Sequence, residues 1–386
     1  MLRMHAVGTA IVVGGVLVVL ILGGDPVGAA PDAPRDEQIL RGRQLVLSHG
    51  CSLCHSGLAD PGQAGFLTGV RSAADEFRIG GFTYRPPNLT PDPETGLGRW
   101  SDRQVFNALR FGLKPRDAPD VEITSRTPGQ GNHPAQPTYL APLMPWLAFR
   151  HMTDQQLRDI VAYLKHGVRP VKNLVAASDA PPLGWADTVA PRLSHYPAPP
   201  FPTNNEVAEA ASDPSVQRGR VLVIHLDWGS CHKGYTPGGE RWLAGARAPD
   251  DTFQIGPFIT RARNLTPDNL TGTGRFSERQ LFNALRYGLR PGETPDVEIT
   301  SSVPGQGNFP AHPKYLAPPM PWPAWRHLTD QEIRDIAAYI KRGVKPVRNR
   351  VADSEGPPDF WASGYTVEKI GPYPVAPFPT ANEKSP

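Results

Sequence analysis

The chain has 386 residues, a length that accommodates two domains, each with its own hydrophobic core. Charged residues make up 20% and hydrophobic residues 39% of the sequence, which is typical of a soluble globular body. The formal net charge of +3 is too small to indicate binding to nucleic acid or to an anionic surface. The 45 prolines predict long extended connections rather than dense secondary structure.

The N-terminus carries an uncharged apolar run of 19 residues, Ala6 to Gly24. Its densest part, Ile11 to Leu22, is typical of a signal-peptide core, and Val27 to Ala29 would serve as a small-residue cleavage site. The full run is also just long enough to cross a bilayer as a single hydrophobic helix. We therefore expect residues 1–30 to be either a signal peptide or a membrane anchor, and both alternatives export the rest of the chain.

Cys51-Ser-Leu-Cys54-His55 has the spacing of a covalent haem-attachment site. The two thiols would add to the haem vinyl groups as thioethers, and His55 would bind one face of the iron. The competing interpretations are a structural zinc site and a redox-active dithiol. Zinc would need a second pair of ligands, but Cys231 is the only other cysteine, and a dithiol does not require the adjoining histidine. The motif therefore predicts a c-type haem.

The chain is a tandem repeat. Residues from about Asp36 to Thr203 reappear from about Asp213 to Thr380, so that, for example, Asn88-Leu-Thr-Pro-Asp92 returns as Asn264-Leu-Thr-Pro-Asp268. The repeated unit is long enough to be a whole domain rather than one turn of a solenoid. We predict domain 1 over 36–170, a Pro-rich connection over 171–212, domain 2 over 213–346 and a Pro-rich C-terminal tail over 347–386.

Each copy is predicted to contain three main helices separated by long loops. The last helix of each copy has apolar residues at helical spacing and is followed by glycine and then proline. The middle and last helices begin with capping-box patterns. The predicted first helices lie near Glu37–Leu47 and Val216–Ile224, the middle helices begin at Ser101 and Ser277, and the last begin at Thr153 and Thr329. Gly42 and Gly219 lower the helix propensity of the first helices unless another element must approach closely there.

The Pro-rich tails would by default be flexible linkers. Each tail nevertheless contains a tryptophan and a tyrosine, which are Trp185 and Tyr196 in the first tail and Trp361 and Tyr373 in the second. These aromatic residues favour the interpretation that each tail packs on its own domain.

The second ligand of the iron separates electron carriers from catalysts. Met144 and Met320 occupy matching positions, each followed by Pro-Trp, on a loop before the last helix. Met152 corresponds to Leu328 and is interpreted as apolar core filler. Methionines are scarce in this chain, and these two match each other and lie on loops. These features favour Met144 and Met320 as thioether ligands opposite the histidines, an arrangement that raises the reduction potential of the haem.

The second copy departs from the first at the attachment motif, which becomes Trp228-Gly-Ser-Cys231-His232. One interpretation is a haem attached by the single thioether of Cys231, with His232 and Met320 as axial ligands. The alternative is a domain that has lost its haem and serves for contact alone. Retention of Cys231, His232 and Met320 together favours a second haem.

For the remaining histidines and for two matching arginines, a structural role is considered before a role in binding haem. His151 and His327 match each other and lie just before capped helices, whereas six further histidines have no counterpart in the other copy. Any of these six would be an alternative axial ligand, but nothing singles one out: His49, His133, His166, His195, His225 and His312. Arg85 and Arg261 would either pair with haem propionates or lie on the solvated surface.

The haem motif, the glycine-bearing first helix, the Met-Pro loop and the closing helix with Tyr163 or Tyr339 together resemble class I cytochromes c. More narrowly, the Asn88-Leu-Thr-Pro-Asp segment with Met144-Pro resembles the multihaem cytochrome c subunits of periplasmic alcohol, aldehyde and gluconate dehydrogenases. The resemblance implies an all-α fold of two tandem cytochrome c-like domains with long Pro-rich loops. The apolar run at the N-terminus adds a hydrophobic helix. It also implies electron relay along the row of haems.

The sequence thus predicts an exported di-haem c-type cytochrome on the periplasmic side of the bacterial inner membrane, either soluble or anchored through residues 6–24. It would transfer electrons from a dehydrogenase or quinol-oxidising complex to another cytochrome or an oxidase. Cys51, Cys54 and Cys231 would attach haem c, and the pairs His55/Met144 and His232/Met320 would bind the irons. The alternatives are a haem enzyme, such as a peroxidase or thiosulfate-type oxidoreductase, and a mono-haem carrier with a haemless docking domain.

Overall fold

The computed structural model describes residues 35–56, 60–73, 76–79, 82–141, 143–179, 193, 196–234, 236–247, 252–255, 257–318, 320–356 and 361–385. The predicted N-terminal signal or anchor over 1–30 and Trp185 of the first tail lie outside these residues. In the part of the chain that is described, no helix has the length and apolar character needed to cross a membrane.

The first copy is mostly helical, as predicted, and also contains one short β-hairpin. Its elements are α1 (Arg35–Ser48), α2 (Cys51–His55), β1 (Phe77–Ile79), β2 (Phe82–Tyr84), α3 (Asp102–Phe111), α4 (Trp146–Phe149) and α5 (Asp154–Ala162). Strands β1 and β2 pair antiparallel, with Phe77 opposite Tyr84. Strands this short leave too few residues for a period of two to be recognised in the sequence, so the hairpin was not predicted.

The second copy repeats this order of elements. They are α6 (Pro214–His225), α7 (Trp228–His232), β3 (Phe253–Ile255), β4 (Phe258–Thr260), α8 (Glu278–Tyr287), α9 (Trp322–Trp325) and α10 (Asp330–Ala338), followed in the tail by α11 (Val367–Ile370). Helices α5 and α10 each widen into a π-helical last turn, at Tyr163–Gly167 and Tyr339–Gly343.

The predicted capping boxes are confirmed at the middle and last helices of both copies. At the start of α3, the Ser101 hydroxyl accepts a hydrogen bond from the Gln104 backbone N–H, and the Gln104 side chain accepts one from the Ser101 backbone N–H. The Thr153 cap of α5 is built in the same way. Because these bonds satisfy backbone N–H groups that the helix leaves free, the local sequence determines where each helix begins.

The glycine of each first helix lies where the last helix crosses it. A Cβ atom on Gly42 would lie 1.8 Å from the carbonyl oxygen of Asp159 in α5, and one on Gly219 would lie 1.9 Å from that of Asp335 in α10. The expectation of a close approach at these glycines is therefore confirmed. This crossing holds α1 against α5, and α6 against α10, at the centre of two matching apolar clusters.

The first tail contacts both copies. Its start lies on the first copy, where Asn173 donates hydrogen bonds to the carbonyl oxygens of Thr68 and Val70. Tyr196 also contacts the first copy, with its ring centroid 4.9 Å from that of His151. The end of the tail instead packs on the second copy, where the buried Glu206 accepts a hydrogen bond from Arg220 Nε at 2.6 Å.

The C-terminal tail also contacts both copies, but in the reverse order, because it begins on the second copy and ends on the first. Trp361 and Tyr373 contact the second copy, through Phe258 and His327 respectively. The end of the tail lies on the first copy, where Glu383 accepts a hydrogen bond from Arg43 Nε at 2.6 Å. The prediction that each tail packs on its own domain is therefore correct for the described aromatic residues. It is wrong for the two tail ends.

Candidate functional site

The two repeated motifs open into one continuous cavity of about 1820 Å³. A pocket for a single small ligand typically holds about 300–1,000 Å³, so this cavity has room for more than one. Its walls are mainly apolar and come from both copies. The seven residues predicted to bind the cofactor all line it: Cys51, Cys54, His55, Met144, Cys231, His232 and Met320.

Helix α2 holds the first motif at the cavity wall. Gly50 precedes the helix with a left-handed φ of 67°, which lets the chain turn sharply from α1 into α2. Cys51 and Cys54 are free thiols, and burial raises the pKa of Cys51 to about 12 and also raises that of Cys54. Both thiols are therefore neutral at pH 7, and neither is activated as the nucleophile of a redox-active dithiol would be.

His55 is buried and held by a single backbone hydrogen bond. Its Nδ1 lies 2.7 Å from the carbonyl oxygen of Pro87. Because a carbonyl oxygen only accepts, Nδ1 must carry the proton, and Nε2 keeps its lone pair for a metal ion. Burial lowers the pKa of His55 to about 4, so the ring is neutral at pH 7, as a metal ligand must be.

The second motif, on α7, repeats this arrangement at its histidine. His232 Nδ1 lies 2.8 Å from the carbonyl oxygen of Arg263, and burial lowers the pKa of His232 to about 4. Burial also raises the pKa of the free thiol of Cys231 to about 11. The second histidine is thus prepared for ligation in the same way as the first.

Trp228 fills the position of the missing first cysteine. Its side chain is 2% exposed and stacks on Trp325, with ring centroids 4.8 Å apart and an angle of 27° between the planes. The residue that matches Trp325 in the first copy is the smaller Phe149. The second copy therefore has two stacked tryptophans where the first copy has Cys51 and Phe149.

Met144 and Met320 lie on matching loops just before α4 and α9. The Met144 carbonyl accepts the Trp146 backbone N–H at 2.8 Å, and the Met320 carbonyl accepts that of Trp322 at 2.9 Å. Both side chains are partly buried against the core of their own copy. Met152 is 2% exposed within the first core and does not line the described walls of the cavity, in agreement with its interpretation as core filler.

The residues present fit a haem group. The walls offer the lone pair of a buried imidazole, a thioether sulfur and one or two thiols in each copy. The cavity is also lined by Arg261, whose buried Nε has no hydrogen-bond partner among the described residues. Within the described residues, no group of three or more His, Cys, Asp or Glu side chains is placed to hold a metal ion.

Arg85 and Arg261 are already paired with the tails. Arg85 contacts Asp179 at 2.7 Å and Arg261 contacts Glu355 at 2.7 Å. Both arginines nevertheless line the cavity. They fix the start of each tail at the cavity mouth while leaving guanidinium groups next to the space that a haem would fill.

No protein-family model matches the chain. It is 29% identical over 335 residues to the gluconate 2-dehydrogenase cytochrome c subunit of Pantoea cypripedii, covering 81% of this chain and 61% of that protein. It is 28% identical to the cytochrome c subunit of the quinone-type alcohol dehydrogenase of Gluconobacter oxydans, over 81% of this chain and 56% of that protein. The chain is a homologue of these cytochrome c subunits.

A further relative is closer to this chain in length. The diheme cytochrome c-type protein of Cereibacter sphaeroides is 26% identical over 78% of this chain and 84% of that protein. The chain spans about six tenths of the length of the dehydrogenase subunits named above. The resemblance to cytochrome c subunits that the motifs indicated is therefore confirmed.

The structure singles out two of the histidines that have no counterpart in the other copy. His49 lies just before α2 and His225 ends α6, and their rings stack across the seam between the copies with centroids 5.5 Å apart. Both residues line the cavity. The sequence signal was present, because each histidine lies close to a haem motif, but nothing in it placed the two rings together.

The tautomers of this histidine pair follow from one backbone contact. His49 Nδ1 lies 2.9 Å from the carbonyl oxygen of Leu45, so it carries the proton. His49 Nε2 must then accept from His225 Nδ1, which lies 3.3 Å away. His225 Nε2 is buried and has no partner in the described part of the chain.

His151 and His327 do not line the described cavity walls. Each lies beside a tail tyrosine, with ring centroids 4.9 Å apart for His151 and Tyr196 and 6.2 Å apart for His327 and Tyr373. These contacts agree with a structural interpretation of both histidines.

Proposed function

We propose that this chain is an electron-transfer cytochrome that carries two haem c groups. The observation that supports it best is the shared arrangement of His55 and His232. Each is buried and neutral and donates Nδ1–H to a carbonyl, so that Nε2 faces a common cavity that also receives a methionine from each copy. The relatives named above, which are cytochrome c subunits, point to the same role.

In the first copy, Cys51 and Cys54 would attach the haem, and His55 and Met144 would be its axial ligands. Haem supplies an iron that takes up and releases single electrons. The carbonyl of Pro87 fixes the tautomer and orientation of His55, and a thioether opposite an imidazole favours a high reduction potential. The apolar walls of the cavity would limit the access of water to a bound haem and so favour a higher potential.

In the second copy, Cys231 would form a single thioether, with His232 and Met320 as ligands. Three features support a second haem. The histidine has the same hydrogen bond as in the first copy, the methionine loop is repeated, and the walls beside Trp228 are closely packed. Both sets of ligands open into the same cavity, which brings the two centres into one enclosure.

The partners of the relatives suggest the partners of this chain. We infer that it accepts electrons from an exported or membrane-bound dehydrogenase and passes them to another cytochrome or an oxidase. Haem c is attached outside the cytoplasm, and the apolar run over 6–24 would direct export or anchor the protein at the periplasmic face. With Met144 and Met320 as ligands, neither iron would keep an open coordination position, which argues against the peroxidase-type alternative.

The deciding experiment measures haem content and axial ligation together. Pyridine haemochrome with protein quantitation is expected to give two haems per chain. The oxidised protein is expected to show the weak far-red band of sulfur-to-iron ligation, and Met144→Ala and Met320→Ala should each remove part of it. Each substitution should also lower the midpoint potential of one haem by an amount on the order of 0.1 V, a fraction of the roughly 0.8 V over which axial ligands set haem potentials.

Each alternative has its own outcome in this experiment. One haem per chain would indicate a haemless second copy, and high-spin iron in the wild-type protein would favour an enzyme. If both methionine variants kept the spectrum and potentials of the parent, the proposed ligand sets would be wrong.

A further inference from the structure

The two copies differ in a set of exposed residues that line the cavity in the second copy and that the proposed haem chemistry does not use. In the first copy, Lys172 forms an ion pair with Glu94. In the second copy the matching residues are Arg348 and Leu270, so the basic residue is kept and its acidic partner is replaced by an apolar side chain.

The match between these positions is fixed by hydrogen bonds that recur in both copies. The Val171 carbonyl accepts a hydrogen bond from the Asn88 side chain, and the Val347 carbonyl accepts one from Asn264. Lys172 and Arg348 directly follow these valines. Two residues further on, Leu174 in the first copy becomes Arg350 in the second.

In the second copy, these differences place an exposed leucine beside exposed arginines at the cavity opening, which we call the second mouth. The Leu270 side chain is 65% exposed, and Leu270, Arg348 and Arg350 all line the cavity. Among the described residues, neither arginine forms an ion pair. Asp268 accepts hydrogen bonds from the backbone and hydroxyl of Thr271, which lower its pKa, and the charge of Arg348 lowers that pKa a little further.

Further positive charge lies next to the second histidine. Arg263, whose counterpart is Pro87, supplies the carbonyl that holds His232 and has a side chain that is 48% exposed. Its nearest carboxylate, on Asp353, lies 3.8 Å away and is 96% exposed, so it is well screened by solvent. The nearby Arg261, Arg275 and Arg290 add to the burial that lowers the pKa of Arg263.

The first mouth is also basic, but two of its arginines form ion pairs. Arg85 pairs with Glu76 and Asp179, and Arg116 pairs with Asp117. The second mouth has carboxylates in its walls as well, on Glu293 and Asp353. What distinguishes it is the combination of an exposed leucine with two arginines that make no ion pair in the described structure.

We propose that the mouth formed by Leu270, Arg348 and Arg350 is the docking surface for a partner protein with an acidic surface. Leu270 supplies the apolar contact, and the two arginines attract and orient carboxylates around it. Its use for electron exchange at the second copy rests on the proposed function. The matching surface of the first copy, where Lys172 is already paired with Glu94, is not the preferred site.

The test compares two double variants with the same change in charge. Poly-L-glutamate serves as the acidic probe, and its binding to the intact, haem-loaded protein is measured by calorimetry at low and physiological salt. Arg348→Glu with Arg350→Glu is expected to weaken binding about tenfold. Arg99→Glu with Arg116→Glu, at exposed positions of the first mouth, is expected to have a much smaller effect.

A single substitution refines the comparison without removing an arginine. Leu270→Glu recreates the carboxylate of the first copy beside Arg348 and is expected to weaken poly-L-glutamate binding as well. Equal losses in the two double variants, or no loss in either, would overturn the proposal. So would an Arg348/Arg350 variant that loses binding to phosphatidylglycerol vesicles but keeps it for poly-L-glutamate, because the surface would then be lipid-binding.

Haem content, measured on the same preparations, keeps the two proposals apart. Binding of poly-L-glutamate does not depend on a second haem. A haem-to-protein ratio of one would therefore contradict the di-haem proposal. The docking proposal would still stand or fall on the binding measured for the charge variants.

Discussion

His55 and His232 reach the same chemical state through the same hydrogen bond, although different residues supply the carbonyl. The acceptor is Pro87 in the first copy and Arg263 in the second. Since only the backbone oxygen is used, the side chain at this position was free to change from proline to arginine. The tautomer of each histidine is therefore maintained by the backbone fold and does not depend on the side chain at this position.

Trp228 provides a direct test of the single-thioether attachment. Trp228→Cys restores the complete attachment motif, and the haemochrome band of the second haem is expected to move to the position shown by the first. The variant should also lose stability, on the order of 3 kcal/mol, because a large buried aromatic side chain is replaced by a small one. The control is Trp325→Phe, which copies Phe149 and leaves the motif unchanged.

An unchanged haemochrome spectrum in Trp228→Cys, with the haem count preserved, would show that the new thiol does not reach the haem vinyl group. The placement of Trp228 at the position of Cys51 would then be wrong. A shifted spectrum in the Trp325→Phe control would attribute the change to packing instead of attachment.

The tail ends join the copies through two matching buried clusters. Glu206 accepts hydrogen bonds from Arg220 and Tyr339 in the second copy, and Glu383 accepts them from Arg43 and Tyr163 in the first. Both glutamates are fully buried, with 1% and 0% exposure respectively. Each first helix is thus held by a tail end, and the C-terminal tail closes the arrangement by returning to α1.

The element that carries Glu383 should therefore be required for stability. Glu383→Gln leaves Arg43, whose side chain is 11% exposed, with an uncompensated buried charge, which typically costs about 3–5 kcal/mol. Urea unfolding would measure the loss. Glu355→Gln is the matched control, because the Glu355 side chain is 60% exposed and an exposed pair contributes about 1 kcal/mol or less.

Glu206→Gln is expected to produce a loss similar to that of Glu383→Gln, since its cluster has the same composition. If Glu383→Gln and Glu355→Gln had equal small effects, the tail end would not be the buried connection described above.

Helix positions were predictable to the extent that short-range chemistry determines them. The capping boxes at Ser101 and Thr153 lie within four residues of sequence, so the starts of α3 and α5 were predicted correctly. The close approach at Gly42 was also foreseen, because a glycine inside a helix needs such a reason. The β-hairpins and the crossing of the tails were not, because strands of three residues carry little periodicity and the tails contact residues hundreds of positions away.

Across the whole molecule, buried neutral histidines make stability depend on pH. Burial lowers the pKa of His49 to about 4, that of His151 to about 3 and that of His327 to about 3. His225, which faces His49 across the seam, also has its pKa lowered, mainly by burial. In the unfolded chain, these rings bind protons near their ordinary pKa of about 6.5.

The unfolded state therefore binds more protons than the folded state between pH 6.5 and about 4, and the free energy of unfolding should fall as the pH drops through this range. His49 alone would contribute on the order of 2 kcal/mol. Denaturant unfolding at several pH values would measure the slope, which should decrease in His49→Gln. The exposed His312 provides the control, since His312→Asn should leave the slope unchanged, and a slope unaffected by His49→Gln would contradict this assignment.

The residues proposed to bind haem were predicted from the sequence alone, because attachment motifs, ligand types and the repeat are properties of neighbouring residues and of self-comparison. Only the folded chain shows the common cavity, the stacked pair of His49 and His225 and the crossed tails. Only there is it seen that Arg348 and Arg350 form no ion pair with any described residue. Each of these features depends on contacts between residues far apart in sequence, and such contacts are set by how the two copies pack, which no local pattern encodes.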